Sequence, residues 1–202
     1  MTKGFVKKLM NPKTKDYNLL KQESLGGNMT WRYVNSTDPS INLDTDRYTA
    51  NGLYQHTIVS GPDYPPYSLV PRVESPYADL VFLVIKQILD YNNIEYTQIH
   101  RCVINQIHYW DGKPSPPHLD HYKIPHNNCL VYLNSFDRGE IDVYTEDGDF
   151  DSRFDHHYND QIDHIESYKP FEDDIIIFGG YNHSVHQPAP MQRRVVLVFT
   201  YS

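Results

Sequence analysis

The spacing of one histidine and one aspartate, His118 and Asp120, is the feature of the sequence that most directly suggests chemistry. Side chains at positions i and i+2 of a β-strand point to the same face, roughly 7 Å apart, so such a pair can converge on one metal ion. Of the 11 histidines, only His118 and His164 are followed two positions later by an acidic residue, Asp120 and Glu166. His118 is the better candidate, because His164 lies in an acidic segment without a strand pattern.

A third metal ligand and a cationic group follow further along the chain. The run DDIIIFGGYNHSVHQPAPMQRR contains an apolar stretch, then His183 and His186, then Arg193 and Arg194. Two imidazoles and one carboxylate on one face of a metal form the triad of non-haem iron(II) oxygenases, which leaves open coordination positions. A guanidinium offers bidentate recognition of a carboxylate. Taken alone, His-x-Asp is better explained as an Asx turn with a surface imidazole; the downstream residues favour the metal site.

The elements that must position these residues are mostly strands. One helix is predicted from about Ser75 to Asn92, with Ser75 as its N-cap and Pro76 at the first helical position. Several strands without intervening helices favour a sandwich or a barrel. The predicted strands are MTWRYVN, YQHTIVS, YTQIHRCVINQIHYW, NNCLVYLN, GEIDVYTE, DDIIIFGG and RRVVLVFTYS.

The chain of 202 residues is predicted to form a single domain. Residues 1–15 are basic and irregular and are expected to form an arm. Residues 16–100 are expected to supply N-terminal strands and the supporting helix, and residues 101–202 the core that holds the site. The acidic segment 146–170 is expected to be a solvated excursion or a lid.

Composition narrows the class of partner and the compartment. A net charge of −8 disfavours a nucleic-acid surface held by phosphate neutralisation and favours a basic over an acidic macromolecular partner. The absence of an apolar run of membrane-spanning length predicts a soluble, cytoplasmic protein with no membrane partner. Cys102 and Cys129 form no C-x-x-C pair, which argues against a cysteine zinc site and fits a reducing compartment.

Four motifs, in the correct order, resemble the iron(II)- and 2-oxoglutarate-dependent dioxygenases, in particular the prolyl-4-hydroxylase-like branch. YWDGKPSPPHLD is similar to the Tyr-x-x-Gly and His-x-Asp of that family, and CLVYLNSFDRGEIDVY to its Tyr-Leu-Asn and Gly-rich strands. DDIIIFGGYNHSVHQPAPMQRR is similar to its Asp-apolar-Phe run, which leads to His-x-Val and a basic residue. The resemblance extends from Tyr109 to Ser202. It implies a mainly β fold, a double-stranded β-helix or jelly roll, with the helix at about 75–92 buttressing one sheet.

The resemblance also implies an Fe(II) site formed by His118, Asp120 and His183. His186 stays open as the third ligand, because a one-residue irregularity in the strand would bring it to the same place. His-x-Val favours His183. His186 and His121 are otherwise candidates for the mouth of the substrate site. His121, His126, His156 and His157 are expected at the surface, and the substrate mouth is the alternative for His121.

For the cosubstrate, 2-oxoglutarate, the resemblance implies that an arginine pairs with the distal carboxylate. Arg194 is favoured over Arg193, because the apolar residues at 195, 197 and 199 then fit the alternating register of the family. Tyr132 and Tyr109 occupy positions that commonly contact the cosubstrate. Either tyrosine is equally compatible with a core position in which its hydroxyl is hydrogen-bonded.

The implied reaction uses O2 and 2-oxoglutarate to hydroxylate a substrate and releases succinate and CO2. The branch implies a prolyl or other peptidyl residue as the substrate, but a small molecule stays open because one fold hosts many substrates. The alternative from another class is a non-catalytic cupin-like jelly roll that binds a metal or another ligand. The direction of the Arg193 and Arg194 side chains distinguishes the binding module from the 2-oxoglutarate-dependent enzyme, since only that enzyme needs a cation in the metal cavity. An oxygenase that does not use 2-oxoglutarate would share the triad and differ at this cation.

Overall fold

A computed structural model describes residues 5–35, 52–61, 71–121, 124–144 and 164–202. Within these ranges the helices are α1 (Lys15–Leu25) and α2 (Ala78–Tyr91). The strands there are β1 (Lys7–Leu9), β2 (Arg32–Val34), β3 (Leu53–Ser60), β4 (Arg72–Val73), β5 (Ile99–His108), β6 (Asn127–Tyr132), β7 (Ile141–Tyr144), β8 (His164–Tyr168), β9 (Ile175–Gly179), β10 (His183–Val185) and β11 (Arg193–Tyr201).

The strands form two antiparallel sheets of unequal size. The large sheet has the order β1-β9-β6-β11-β5-β3-β2, with β4 paired to β3, and the small sheet has the order β10-β7-β8. The predicted mainly β jelly roll with a supporting helix is confirmed. The N-terminal strands β2 and β3 continue the same large sheet through β5. The division of the chain into a supporting part and a core stays a prediction.

Helix α2 covers the outer face of the large sheet. Its buried residues recur every three or four positions, the spacing of one helical face. They pack in the same core as Val195, Leu197 and Phe199 of β11. The helix is shorter than predicted at its start, because it begins at Ala78 with Tyr77, not Ser75, as its N-cap. The Ser75 hydroxyl accepts from the Tyr77 backbone N–H and bonds the His56 ring at 2.7 Å, which stabilises the turn before the helix. Neither helix of the described residues has the length and apolarity to span a membrane.

The inner face of the large sheet carries a second core. Val196 and Val198 of β11 pack there with Val103 and Leu130 of the neighbouring strands. Because side chains alternate along a strand, Arg194 shares this inner face with Val196 and Val198, whereas Arg193 shares the outer face with Val195. The two consecutive arginines are thereby separated by the thickness of the sheet.

Three segments differ from the sequence-based expectation. The prediction of an irregular arm over residues 1–15 is wrong at Lys7–Leu9, which form an edge strand paired with β9. Only Leu9 of these three residues is buried, so the sequence carries little signal of a strand there. Helix α1 was not predicted, since its buried positions are few: Tyr17, Leu20 and Ser24. The third segment is His164–Tyr168, which pairs with β7 although no strand was expected there.

The other part of the acidic segment, 145–163, lies outside the described residues, as do His156 and His157. The expectation of an excursion or lid therefore stays a prediction. Glu166, the acidic residue of the second His-x-acid pair, accepts a hydrogen bond from the Val6 backbone at 2.9 Å. That contact joins the small sheet to the N-terminal segment and gives Glu166 a structural role.

One carboxylate ties α1 to the loop before β9. Asp173 accepts from the Tyr17 hydroxyl at 2.7 Å and from Lys21 Nζ at 2.6 Å, and it pairs with Lys13 Nζ at 2.9 Å. Burial alone would raise the pKa of Asp173, but the hydrogen bonds from Lys13, Lys21 and Tyr17 prevail and lower it to about 2. The ionised carboxylate therefore stabilises the contact between the N-terminal helix and the sheet.

We expect Asp173→Asn to lower the free energy of unfolding at pH 7 by about 1–2 kcal/mol, after allowance for solvent screening. Because the pKa is lower in the folded than in the unfolded chain, the contribution is fully present above pH 4 and is lost as the pH falls towards 2. Urea unfolding of wild type and variant at pH 7 and pH 3 measures the difference. An equal difference at both pH values would contradict the assignment.

Candidate metal centre

Two histidines and one aspartate meet at the edge of the small sheet. The backbones of His118 and His183 form one isolated antiparallel bridge, with both N–H to O distances at 3.0 Å. Asp120 follows two residues after His118, and the candidate ligand atoms of the three side chains all lie within 4.8 Å of one another. His118 is held by this single bridge in a loop, not by the regular strand that the i, i+2 argument assumed. The pair nevertheless converges, because the bridge extends the backbone locally.

The hydrogen bonds of both imidazoles leave the same ring nitrogen available to a metal. His118 Nδ1 lies 3.0 Å from the Pro116 carbonyl oxygen, and His183 Nδ1 lies 3.1 Å from the Tyr181 carbonyl oxygen. A carbonyl only accepts, so each Nδ1 carries the proton and each Nε2 presents a lone pair. Such backbone contacts fix the tautomer and ring orientation that metal ligands need.

The charges at this site also suit a cation. Burial lowers the pKa of His183 to about 4, with a further lowering by the neighbouring His118, so this imidazole is neutral at pH 7. Burial alone would raise the pKa of Asp120, but Arg101 and the nearby imidazoles outweigh it and hold the pKa below its ordinary range. The site therefore offers a neutral imidazole at His183 and an ionised carboxylate at Asp120, beside the His118 ring.

Arg101 fixes the orientation of that carboxylate. Its Nη1 donates to Asp120 Oδ1 at 2.6 Å, and both side chains are largely buried. The second oxygen, Oδ2, faces His183 Nε2 at 3.9 Å. One carboxylate oxygen is thus engaged by the guanidinium, and the other is directed between the imidazoles. Arg101 was not among the predicted site residues. An arginine inside the predicted strand HRCVINQI was nevertheless a signal that its side chain has a specific partner.

A cavity beside the triad contains the predicted cation. Arg194 lines it together with His118, Asp120 and His183. The guanidinium is 1% exposed, and its carbon lies 5.2 Å from the centre of the Tyr132 ring. Arg194 Nη2 donates to the Tyr132 hydroxyl at 3.4 Å, and Arg194 Nε is buried without a hydrogen-bond partner among the described residues. A buried guanidinium with spare donors is suited to an anionic ligand.

Arg193, the alternative to Arg194, contacts the outer side of the sheet. Its Nη2 donates to the Leu25 carbonyl at the end of α1 at 2.9 Å, and its Nη1 reaches Gln106 at 3.3 Å. It does not line the cavity that holds the triad. Of the two arginines, the structure brings only Arg194 to the candidate metal centre.

Tyr109 does not line this cavity either. Its side chain is about one-third exposed and lies over Gly112, whose φ is +81°. Tyr132, in contrast, is fully buried beside Arg194. Burial raises the pKa of the Tyr132 hydroxyl, opposed by Arg194, so the phenol stays protonated at neutral pH and can donate a hydrogen bond.

The turn before β7 packs against the side chain of Arg194. Gly139 has a φ of +76°, a left-handed conformation that favours glycine, and the preceding Arg138 is also left-handed at +64°. A Cβ at Gly139 would lie 2.7 Å from the Phe136 ring and 3.3 Å from Arg194 Cδ. Position 139 therefore requires glycine, both for its backbone conformation and for the space beside Phe136 and Arg194.

Three other histidines of the described residues, His186, His121 and His126, lie outside the cluster of three ligands. His186 pairs with Asp142, at 2.6 Å between Nε2 and Oδ2, and is not among the three clustered ligands. His121 is buried, with Nε2 2.7 Å from Thr200 Oγ1, and neither His121 nor His186 lines the metal cavity. The surface position expected for His126 is wrong, since the side chain is buried with its ring 4.8 Å from that of His121.

We expect the two histidines that compete for the third ligand position to behave differently. His183→Ala should lower the affinity for Fe(II) by more than about tenfold, because it removes a nitrogen from the triad. His186→Ala should leave Fe(II) affinity within about twofold, because the contacts of His186 are to Asp142 and the Glu140 carbonyl. Anaerobic equilibrium dialysis compares the two. A larger loss for His186→Ala would assign the third ligand to His186.

Solved structures of 2-oxoglutarate–Fe(II) oxygenases have a similar fold. A Burkholderia pseudomallei oxidoreductase of the 2OG-Fe(II) oxygenase family matches with a TM-score of 0.65 and 17% identity over 98% of this chain and 85% of that chain. A Trichoplax adhaerens prolyl hydroxylase, solved with a hypoxia inducible factor peptide fragment, matches at 0.57 and 14% over 98% and 83%. The alpha ketoglutarate dependent epimerase SnoN of nogalamycin biosynthesis matches at 0.59 and 11% over 98% and 78%.

The match to these structures is one of fold, given the low identities, and it confirms the resemblance at that level. No protein-family model matches the sequence, and no curated protein matches it either. Conclusions about chemistry therefore depend on the side chains of the candidate metal centre.

Proposed function

We propose that the chain is an Fe(II)- and 2-oxoglutarate-dependent dioxygenase that hydroxylates a prolyl or other peptidyl residue. The observation that carries the proposal is the buried Arg194 in the same cavity as His118, Asp120 and His183. A metal-binding module without catalysis has no need for a desolvated guanidinium beside its metal. An oxygenase that does not use 2-oxoglutarate has no need for it either.

The donor set fits Fe(II). Two imidazole nitrogens and one carboxylate oxygen, close together and largely buried, form the combination that non-haem iron(II) oxygenases use. His118, Asp120 and His183 would hold the metal, and Arg101 would keep Asp120 in position. The ligand geometry before metal binding is maintained by backbone hydrogen bonds and by this ion pair.

The surroundings of Arg194 fit 2-oxoglutarate. Isolated charges are costly to bury, and Arg194 has no acidic partner among the described residues, so a ligand carboxylate would offset the cost of its desolvation. Its spare donor and the protonated Tyr132 hydroxyl can both donate to such a carboxylate. Tyr109 was the third predicted contact, and its position over Gly112 offers no support for that role.

When bound, iron and 2-oxoglutarate would supply the activation of O2 that inserts one oxygen atom into the substrate, with succinate and CO2 as the other products. The residues of the chain position and enclose these groups. Val196, Val198 and Leu130 line the cavity with apolar surface and restrict the access of water. His118, Asp120 and His183 would supply three ligands to the metal, which is fewer than iron(II) takes, so the cosubstrate and O2 could also bind it.

The peptidyl substrate is supported by the fold shared with the Trichoplax adhaerens prolyl hydroxylase that was solved with a peptide fragment. In the same way, the fold shared with SnoN supports a small-molecule substrate. We propose a peptide as the preferred substrate because the sequence motifs resemble the prolyl hydroxylase branch. We also propose a cytoplasmic location, which the two free thiols, Cys102 and Cys129, support.

The test is turnover by the full chain with Fe(II), 2-oxoglutarate, O2 and a library of proline-containing peptides. Succinate release is followed by NMR, and insertion of one oxygen atom into a peptide is followed by mass spectrometry. The proposal expects both, and expects neither from Asp120→Asn. Succinate at the level of Asp120→Asn with every peptide, from protein shown to be folded, would overturn the proposed function.

A further inference from the structure

A second groove adjoins the metal cavity on the inner face of the large sheet. It is lined by residues of β2, β3, β4 and β5, and it shares Gln55 and Arg101 with the metal cavity. Because Gln55 and Arg101 line both, the groove lies next to the place where a substrate would react. A part of the substrate next to the reacting carbon would therefore lie in this groove.

The strand register explains why the groove and the triad share a face. Arg32 of β2 pairs with Gln55 of β3, which pairs with Asn105 of β5, which pairs with Val196 of β11. Residues paired across neighbouring strands point to the same side of a sheet. This row runs from the groove to the metal cavity, and Gln55 Nε2 donates to Asn105 Oδ1 along it at 3.1 Å.

The charge of the groove is opposite to that of the whole chain. Among the described residues, its lining contains three arginines, Arg32, Arg72 and Arg101, against one carboxylate, Glu74, in a chain with a net charge of −8. Arg101 is committed to Asp120, and Arg72 contacts Glu74 at 3.3 Å, with both of these side chains exposed. Arg32 is exposed and makes no ion pair among the described residues.

We propose that this arginine groove, lined by Arg32 and Arg72, binds an anionic group of the substrate, namely an acidic side chain close to the hydroxylated residue of a peptide. Thr57 and Ser60 of β3 also line the groove. Their hydroxyls donate to Gln55 Oε1 at 3.3 Å and to the Arg72 carbonyl at 3.5 Å, and each would have to exchange this long contact to donate to the ligand carboxylate. The net charge of the chain favours a basic partner, but the field at the site is set by the nearest charges, because those beyond about 10 Å are screened by salt.

The peptide part of this inference rests on the proposed function. The anionic preference does not, because it follows from the groove alone. Binding is therefore measured under anaerobic conditions, with Fe(II) and 2-oxoglutarate present and no turnover. Proline-containing peptides of equal length, with Asp, Ala or Lys two positions from the proline, compete for the full chain. A parallel arm uses small carboxylates and phenyl phosphate, to identify an anion that is not part of a peptide.

The decisive variant reverses the charge of the groove, Arg32→Glu with Arg72→Glu, and leaves Arg101 in place because it holds Asp120. The matched control is Lys86→Glu on α2, an exposed cation on the outer side of the large sheet. We expect wild type and control to prefer Asp over Lys peptides by about three- to tenfold, and the double variant to prefer Lys peptides. A reversed preference cannot arise from loss of folding.

Raising the salt concentration should reduce the wild-type preference, since exposed ion pairs are screened. If the small anions bind to wild type but not to the charge-reversed variant, while Asp, Ala and Lys peptides bind equally, the groove binds an anion and the proposal of an acidic peptide side chain as that anion is wrong. Equal binding of Asp, Ala and Lys peptides with no binding of small anions, or an unchanged preference in the double variant, would overturn the proposal. None of these outcomes depends on whether the chain consumes O2.

Discussion

Replacing Asp120 by asparagine should lower the affinity for Fe(II) by at least about 100-fold, since it removes the one carboxylate of the triad. Asparagine keeps an oxygen that can accept from Arg101, so the fold around the site is retained while the negative charge is lost. Without that charge, a divalent cation would have to enter a cavity that Arg101 and Arg194 make positive. The measurement is anaerobic isothermal titration of Fe(II) into wild type and variant.

The matched control is Asp142→Asn. Asp142 also contacts a histidine, His186, at 2.6 Å, but it lies outside the cluster of three ligands. We expect Fe(II) affinity within about twofold of wild type in this control. Equal losses in Asp120→Asn and Asp142→Asn, or no loss in either, would show that the metal binds elsewhere or that the losses arise from unfolding. Circular dichroism of each variant separates those two cases.

Replacing Arg194 by methionine should remove 2-oxoglutarate binding while Fe(II) binding persists. Truncating one partner of a buried, hydrogen-bonded charge pair costs about 2–5 kcal/mol, which corresponds to roughly 30-fold to more than 1000-fold in affinity. Methionine is long enough to fill most of the space between Tyr132 and the turn at Gly139, so the cavity keeps its shape. Anaerobic titration of 2-oxoglutarate into the Fe(II)-loaded protein gives the affinity.

The adjacent residue offers a control that few sites provide. Arg193→Met removes the same charge one position away, but from the outer face, where Arg193 contacts Leu25 and Gln106. We expect this control to lose some stability and to retain 2-oxoglutarate binding. Stronger loss in Arg193→Met than in Arg194→Met would contradict the assignment of the anchor.

Much of the fold could be predicted because the strands and α2 repeat local patterns. The continuous apolar run of RRVVLVFTYS indicated a strand, and the alternation of side chains along a strand indicated the opposite directions of Arg193 and Arg194, which the structure reproduces. Helix α1 and strand β1 were missed for a physical reason. Their stability comes from contacts with distant segments, such as the Asp173 network and the β9 edge, and such contacts leave little periodicity in the sequence.

The sequence predicted those site residues whose type and spacing match a known ligand pattern. It did not predict those whose position depends on tertiary packing. His-x-Asp and the downstream His and Arg gave the cluster of three ligands and the cavity cation. Arg101 was missed because its role depends on β5 passing beside Asp120, which no spacing in the sequence specifies. His121 and His126 were expected near the surface because polar residues usually lie there. Their burial is permitted by contacts with Thr200 and the Ile124 carbonyl.

If one cavity holds both Fe(II) and 2-oxoglutarate, the two should form a chelate that absorbs visible light. An anaerobic titration of the apoprotein with Fe(II) and then 2-oxoglutarate follows the charge-transfer band of this chelate. We expect a band in wild type and in Arg193→Met, and its loss in Asp120→Asn and Arg194→Met. Tight Fe(II) binding by wild type without any band on adding 2-oxoglutarate would show that the cavity does not bind the cosubstrate, and would point to a metal-binding jelly roll or to an oxygenase with another cosubstrate.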